Sequence, residues 1–450
     1  MSQLQATYKE IWRIGYPLML GNIAWALIGM FDTIFMGWIP GQHNAEVAQG
    51  AIGAISILYS IFFMIGFSYT RGTQILIARR MGEGKPRRVG EIINNAIIVM
   101  IVSSLVLFFS VQFFSAEFLN WKMNDKEVIT ASDLFIKYRI WGLPAGFVSC
   151  VFISFYSGIG QTGVLTVSVG LMSLLNIVLN YVFVFGKFGM PAMGIAGSGL
   201  ASSIAEWFSV VVMVGGVFIK NRRAQYYLFH IRRINFKLIW HMTKISIPLV
   251  LQSVIANGAW FIFITNIEKL GQDKLDISSI LRQLLLIISI PAWALGSVTN
   301  TIVSNLAGQN KYEDVRMAIR RISLVSTCLV VGQCVIMLIF PRVILRFFIP
   351  DNPALIEQTI PSLWVVVGAL TLMSFSVIIF NGVVSVGDST HQALYIEIIT
   401  VILYCAYFTF IFRIKGVDLP LVWTAEWVYW ITMLSGSIYM LKRKKISLYF

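Results

Sequence analysis

The sequence predicts an all-α polytopic membrane protein, with twelve transmembrane helices in two parallel six-helix lobes. Three observations carry that reading. The 450 residues are 57% hydrophobic and 12% charged, with a mean hydropathy of +0.77, which excludes a soluble globular domain. The apolar residues come in twelve long runs. Short signatures of the first half return in the second half, in the same order.

The runs fall at roughly 11–37, 48–69, 90–114, 134–158, 164–186, 192–219, 238–264, 276–303, 316–340, 358–385, 392–412 and 419–441. Only helices or closed barrels satisfy their backbone groups in lipid, and these runs are too long and too continuously apolar for barrel strands. The first run is too long for the apolar core of a signal peptide, and no A-x-A-like site follows it, so Met1 is expected to be retained. Pro17, Pro144, Pro248 and Pro291 lie inside runs and are expected to kink their helices.

The net charge of +14 would point to nucleic acid in a soluble protein. Here, with the N-terminus taken as cytoplasmic, 23 of the 35 Lys and Arg residues fall in inner loops and the tail. That bias orients the spans and places both termini in the cytoplasm, so no nucleic-acid partner is implied. Cys150, Cys328, Cys334 and Cys405 lie in apolar segments without C-x-x-C spacing and read as small core residues.

A basic linker after the sixth run divides the chain into residues 1–219, a linker at 220–237, and residues 238–450. Gly82-Glu83-Gly84-Lys85 matches Gly308-Gln309-Asn310-Lys311, and Gly160-Gln161-Thr162 matches Gly387-Asp388-Ser389. Ala205-Glu206-Trp207 matches Ala425-Glu426-Trp427, and Pro17-Leu18 matches Pro248-Leu249. The offsets are 226, 227, 220 and 231 residues. Both halves begin on the same side, so the repeat is parallel about an axis along the membrane normal, as in many secondary transporters.

Asp32, in Phe31-Asp32-Thr33-Ile34-Phe35-Met36-Gly37 of the first run, is the chief candidate for chemistry. A carboxylate inside a span costs about 2.5–3.5 kcal/mol at mid-helix, so it needs a partner, a proton or an ion, unless it reaches headgroup water. Counting helical rise places Asn180 and Ser198 at its depth, with Asn176 one turn deeper than Asn180. Such oxygens suit Na⁺ or a protonated carboxyl, or simply an interhelical hydrogen-bond network. Glu206 and Glu426 sit in duplicated contexts and read as structural acids. Arg282 either lines a cleft or snorkels to the interface, as Lys137 and Arg139 are expected to do. No G-x-x-x-x-G-K-[ST], H-E-x-x-H or D-x-x-x-D pattern appears, which disfavours ATP-driven transport and an intramembrane prenyl transferase. The two-fold repeat and the lack of a pore-loop signature argue against a channel.

Taken in order, these motifs resemble the multidrug and toxic compound extrusion (MATE) family over essentially the whole chain. The resemblance rests on the first-run motifs, the loop Met81-Gly82-Glu83-Gly84, Gly158-Ile159-Gly160-Gln161-Thr162, and Gly194-Ile195-Ala196-Gly197-Ser198. It implies cation-coupled antiport by a V-shaped pair of lobes in a bacterial cytoplasmic membrane. Asp32 then matches the family's acidic coupling residue, and Asn176 a polar neighbour in the fifth span. Asn180 stands where many members have a second Asp. The seventh and tenth spans lack the acids of some members, as Val254-Ile255-Ala256-Asn257-Gly258 and Met373-Ser374-Phe375-Ser376 show. Coupling is therefore expected in the first half. The resulting expectation is a monomeric exporter of amphipathic cationic compounds driven by H⁺ or Na⁺, without a cofactor. Arg282 and Asn257 are its candidate substrate-cavity residues. A lipid or polysaccharide-precursor flippase is the nearest alternative.

Overall fold

The computed structural model describes residues 3–122, 125–230, 234–350, 352–386, 390–414 and 416–443. Met1, Arg232 and Arg233 of the linker, the Gly387-Asp388-Ser389 signature, and Lys444 and Lys445 of the tail lie outside them. Among the described residues the regular structure is helical, without a strand. In chain order the helices are α1 (Tyr8–Gly37), α2 (Gln42–Gly82), α3 (Pro86–Lys122), α4 (Lys126–Arg139), α5 (Leu143–Gly158), α6 (Gly163–Phe185), α7 (Ile195–Phe218) and α8 (Arg222–Tyr226). They continue with α9 (Phe236–Glu268), α10 (Gln272–Gly308), α11 (Tyr312–Ile339), α12 (Pro341–Phe348), α13 (Pro353–Ser385), α14 (Thr390–Ile411), α15 (Leu419–Trp423) and α16 (Ala425–Arg443).

Among the described residues, 11 segments are long and apolar enough to cross a membrane, with α4 and α5 forming one of them. The twelfth predicted span is divided between α15 and α16. The 19 residues of α16 hold two tryptophans and two tyrosines beside Glu426, Lys442 and Arg443, which lowers its hydropathy. Pro17, Pro248 and Pro291 lie inside α1, α9 and α10. Pro144 does not kink a helix. A 3-10 turn at Ile140–Gly142 breaks the fourth span, and Pro144 sits in the first turn of α5, where its missing N–H leaves no intrahelical bond unmade.

The sequence repeat has a counterpart in local geometry. The α2 and α10 ends close alike: Lys85 N–H donates to the Arg80 carbonyl at 2.9 Å and Lys311 N–H to the Leu306 carbonyl at 3.0 Å. Gly84 and Asn310, the matched residues of these turns, have φ of +71° and +60°, the left-handed conformation that Gly and Asn tolerate best after a helix. In α7, Trp207 Nε1 donates to the Trp141 carbonyl at 3.0 Å, and in α16, Trp427 Nε1 donates to the Val365 carbonyl at 2.7 Å. The duplicated Ala-Glu-Trp therefore makes one contact twice, tying the sixth span of each half to a carbonyl of the fourth.

Contacts divide the chain into two compact units. One comprises Leu20–Arg80 and Lys85–Thr243; the other comprises Met1–Met19, Met81–Gly84 and Lys244–Phe450. Thus α1 is shared, and the boundary after the linker falls inside α9. In the first unit, α7 packs on α4, α5 and α6. The linker is fastened to this unit: Arg222 Nε donates to Gln161 Oε1 at 2.8 Å, and Asn94 and Asn95 accept from the Phe229 and Asn235 N–H groups at 3.0 and 3.1 Å. In the second unit, α13 packs on α10, α11 and α16, and α14 on α16. The N-terminal segment is held there by three hydrogen bonds. Leu4 N–H donates to Asn305 Oδ1 at 3.0 Å, Gln309 Nε2 to the Leu4 carbonyl at 3.0 Å, and Arg321 Nη1 to the Ala6 carbonyl at 3.1 Å.

Candidate cation-coupling site

The site lies within the first unit, where α1 meets α6 and α7. Ala24, Trp25 and Ile28 of α1 pack on Val169 and Met172 of α6 and Ala205 of α7. Asp32 follows one turn beyond Ile28 on the same face. The apolar layer beneath it keeps the carboxylate against polar groups of α6 and α7. Those groups form two stripes at four-residue spacing: Asn176 and Asn180 on α6, and Ser198, Ser202 and Glu206 on α7. The two helices come close because Gly197 lies against the Phe183 backbone, where an added Cβ would stand 2.7 Å from the carbonyl carbon.

Each Asp32 carboxylate oxygen accepts one hydrogen bond. Asn180 Nδ2 donates to Oδ1 at 2.8 Å, and Ser202 Oγ donates to Oδ2 at 3.1 Å. Asn176 Nδ2 steadies the serine by donating to Ser202 Oγ at 3.0 Å. Asn180 Oδ1 is buried without a hydrogen-bond partner. A buried, unsatisfied amide oxygen is uncommon and marks a place for a donor or a cation.

The helical-rise estimate brought Asp32, Asn176 and Asn180 together, but Ser198 is offset. Its hydroxyl is buried and makes no hydrogen bond. Ser198 belongs to the first turn of α7, and the hydroxyl that reaches Asp32 belongs to Ser202, one turn on. The four-residue stripe was the signal that could have found it.

Arg139 corrects the snorkelling expectation. The break after α4 leaves it beside α7, where Nη2 forms an ion pair with Glu206 Oε1 at 2.6 Å. Tyr59 OH donates to the other Glu206 oxygen at 2.7 Å, and the guanidinium stacks 3.6 Å from the Tyr59 ring centre. A cavity of about 20 Å³ has Asn176 and Ser202 of the Asp32 cluster and Arg139 and Glu206 of this group in its lining. That is room for about one water-sized occupant. Lys137, by contrast, is half-exposed and pairs with Asp133 at 2.7 Å.

Gly142 makes the Arg139–Glu206 contact possible. An added Cβ would collide with Glu206 Oε2 and stand 2.7 Å from Arg139 Nη1. Gly142→Ala is therefore expected to lower thermal stability by about 1–3 kcal/mol, the usual cost of overpacking. Unfolding of purified protein in detergent checks this, and an unchanged midpoint would refute the packing argument.

In the second unit, Glu426 accepts from Tyr404 OH at 3.2 Å. A further buried acid, Glu397 of α14, was not singled out from the sequence. It accepts from Tyr429 OH at 2.6 Å and from Gln252 Nε2 at 3.2 Å. The rule that flagged Asp32, a carboxylate inside an apolar run, applies to Glu397 equally. Arg282 of α10 is half-buried, lies 5.8 Å from the Trp260 ring centre, and has a buried Nε without a hydrogen bond. Asn257 of α9 is exposed and donates to the Ser253 carbonyl at 2.8 Å.

The fold and site define a polytopic helical membrane protein with a hydrogen-bonded carboxylate inside its first span. The MatE family profile matches the chain over residues 17–182 and 248–411, once in each half. The chain belongs to the MATE family of membrane transporters, and is not an enzyme. Relatives named "Probable multidrug resistance protein NorM" include one from Synechocystis sp., 25% identical over 320 residues, covering 70% of this chain and 67% of that one. Another, from Thermotoga maritima, is 23% identical over 354 residues, covering 78% and 74%. A solved outward-facing multidrug resistance MATE transporter of the MOP superfamily shares the fold with a TM-score of 0.88 at 14% identity, covering 98% of this chain and 96% of that one.

Proposed function

We propose that the protein is a secondary antiporter that exports amphipathic cationic organic compounds in exchange for H⁺ or Na⁺ bound at Asp32. The observation that carries this reading is the geometry of the Asp32 carboxylate: one hydrogen bond to each oxygen, and the unsatisfied Asn180 Oδ1 in the same cluster. A proton on Asp32 would displace one of the two donors. A sodium ion would draw on carboxylate, amide and hydroxyl oxygens already assembled there. Either event changes contacts among α1, α6 and α7. Opposing affinities of a few kcal/mol for ion and substrate then suffice to bias alternating access. The protein acts as a monomer in a bacterial cytoplasmic membrane, with both termini in the cytoplasm. Glu206 and Glu426 serve structure.

The test is efflux of cationic dyes from proteoliposomes under an imposed Na⁺ or pH gradient, each collapsed in turn. Transport that follows one gradient names the ion. Transport unaffected by either gradient would refute the antiporter reading. Gradient-independent scrambling of lipid would favour a flippase instead.

A further inference from the structure

The second unit contains a groove of about 990 Å³ that has no part in the coupling site. Among the described residues its polar lining comes from Tyr8, Arg316, Arg320, Arg321, Ser323 and Lys442, and no acid is among them. Its apolar lining includes Met317, Leu324, Phe375, Ile379 and Ile438. We propose that this groove binds an anionic phospholipid, with the headgroup held by the cations and an acyl chain laid along the apolar residues.

The lining changes character along two of the helices that build it. On α11, Arg316, Arg320 and Leu324 form one stripe at four-residue spacing, cationic near the helix start and apolar deeper in. On α16, Ile438 and Lys442 form the corresponding stripe, apolar deeper in and cationic at the helix end. The change takes about 6 Å along each axis, one turn at 1.5 Å per residue. Both helices therefore present charge at the rim and hydrocarbon within, the order of groups in a phospholipid. A free phosphate would need only the rim. Basic pockets between spans are a recurrent way to hold anionic headgroups.

Ser323 lines the groove, is 8% exposed, and has a buried hydroxyl without a hydrogen-bond partner. It adjoins Leu324, next to the passage from cationic to apolar lining, which is the level of a lipid's ester oxygens. Those oxygens would accept from it. The Arg321 guanidinium already donates to the Ala6 carbonyl at 3.1 Å and lies 5.6 Å from the Tyr8 ring centre. It still has further N–H groups to offer. Glu313 and Asp314, in the first turn of α11, do not line the groove.

The experiment uses the full-length protein, purified and delipidated in mild detergent. Phosphatidylglycerol, phosphatidylcholine with the same chains, or inorganic phosphate is added. Native mass spectrometry reads binding, and thermal unfolding reads protection. Phosphatidylglycerol is expected to bind at least tenfold tighter than phosphatidylcholine and to raise the unfolding midpoint. Phosphate at millimolar concentration is expected to give no protection. Combined Arg316→Gln, Arg320→Gln and Lys442→Gln substitution is expected to erase the preference. Should that variant fail to fold, Lys442→Gln alone, at the exposed end of α16, is expected to weaken it severalfold. Equal binding of the two lipids, equal protection by phosphate, or an undiminished preference in the variant that folds would overturn the proposal.

Discussion

Asp32→Asn is expected to reduce gradient-driven efflux to the background seen without a gradient, while the protein stays folded and still binds substrate. The substitution keeps the shape of the side chain and removes its charge and its ability to take up a proton or pair with Na⁺. The network it disturbs is modest, since interhelical hydrogen bonds in membranes are worth about 0.6–2 kcal/mol. The new amide oxygen would still accept from Asn180 Nδ2, and the new NH2 group would donate to Ser202 Oγ in place of the bond that Ser202 now gives. Efflux from proteoliposomes, substrate binding in detergent and an unfolding curve together separate the outcomes. Wild-type efflux under either gradient would refute the role of Asp32. Loss of folding would show that the carboxylate is a structural tie.

The second large effect is expected at Glu206. Glu206→Gln leaves Arg139 buried without its counter-charge, and breaking such a pair costs about 3–5 kcal/mol. Glu426→Gln is expected to cost less, because Glu426 accepts from the Tyr404 hydroxyl at 3.2 Å, and a hydrogen bond to a charged group is worth about 1.5–3 kcal/mol. Thermal unfolding of both variants should therefore rank Glu206→Gln as the weaker protein, with transport surviving in whatever remains folded. A stable Glu206→Gln protein that cannot transport would move Glu206 from structure into the coupling machinery, across the small cavity it shares with Asn176 and Ser202.

The sequence carried the spans and the repeat, because lipid forces long apolar runs and duplicated turns keep their Gly, Asn and Pro. It also placed Asp32, Asn176 and Asn180 together, because depth along straight helices is simple arithmetic. It misjudged what depends on where helices break. Arg139 looked like a residue at a span end, since nothing in Lys137-Tyr138-Arg139-Ile140-Trp141-Gly142 announces a 3-10 turn that directs it inward. Ser198 was favoured over Ser202 because the estimate fixed depth and not the side of the helix. Glu397 was overlooked although its signal was present, five residues into an apolar run. Long-range pairings such as Tyr59 with Glu206, 147 residues apart, have no local signature at all.

The N-terminal strap has a consequence for the order of synthesis. Leu4 leaves the ribosome 301 residues ahead of its partner Asn305. At elongation rates of about 5–20 residues per second, Leu4, Ala6 and the start of α1 wait about 15–60 s before α10 and α11 exist to receive them. During that interval the rest of α1 already has α6 and α7 to pack against, once those helices have been made. The first span is thus anchored at one end early and at the other end late, and a bulky N-terminal fusion would compete for the anchorage that forms last.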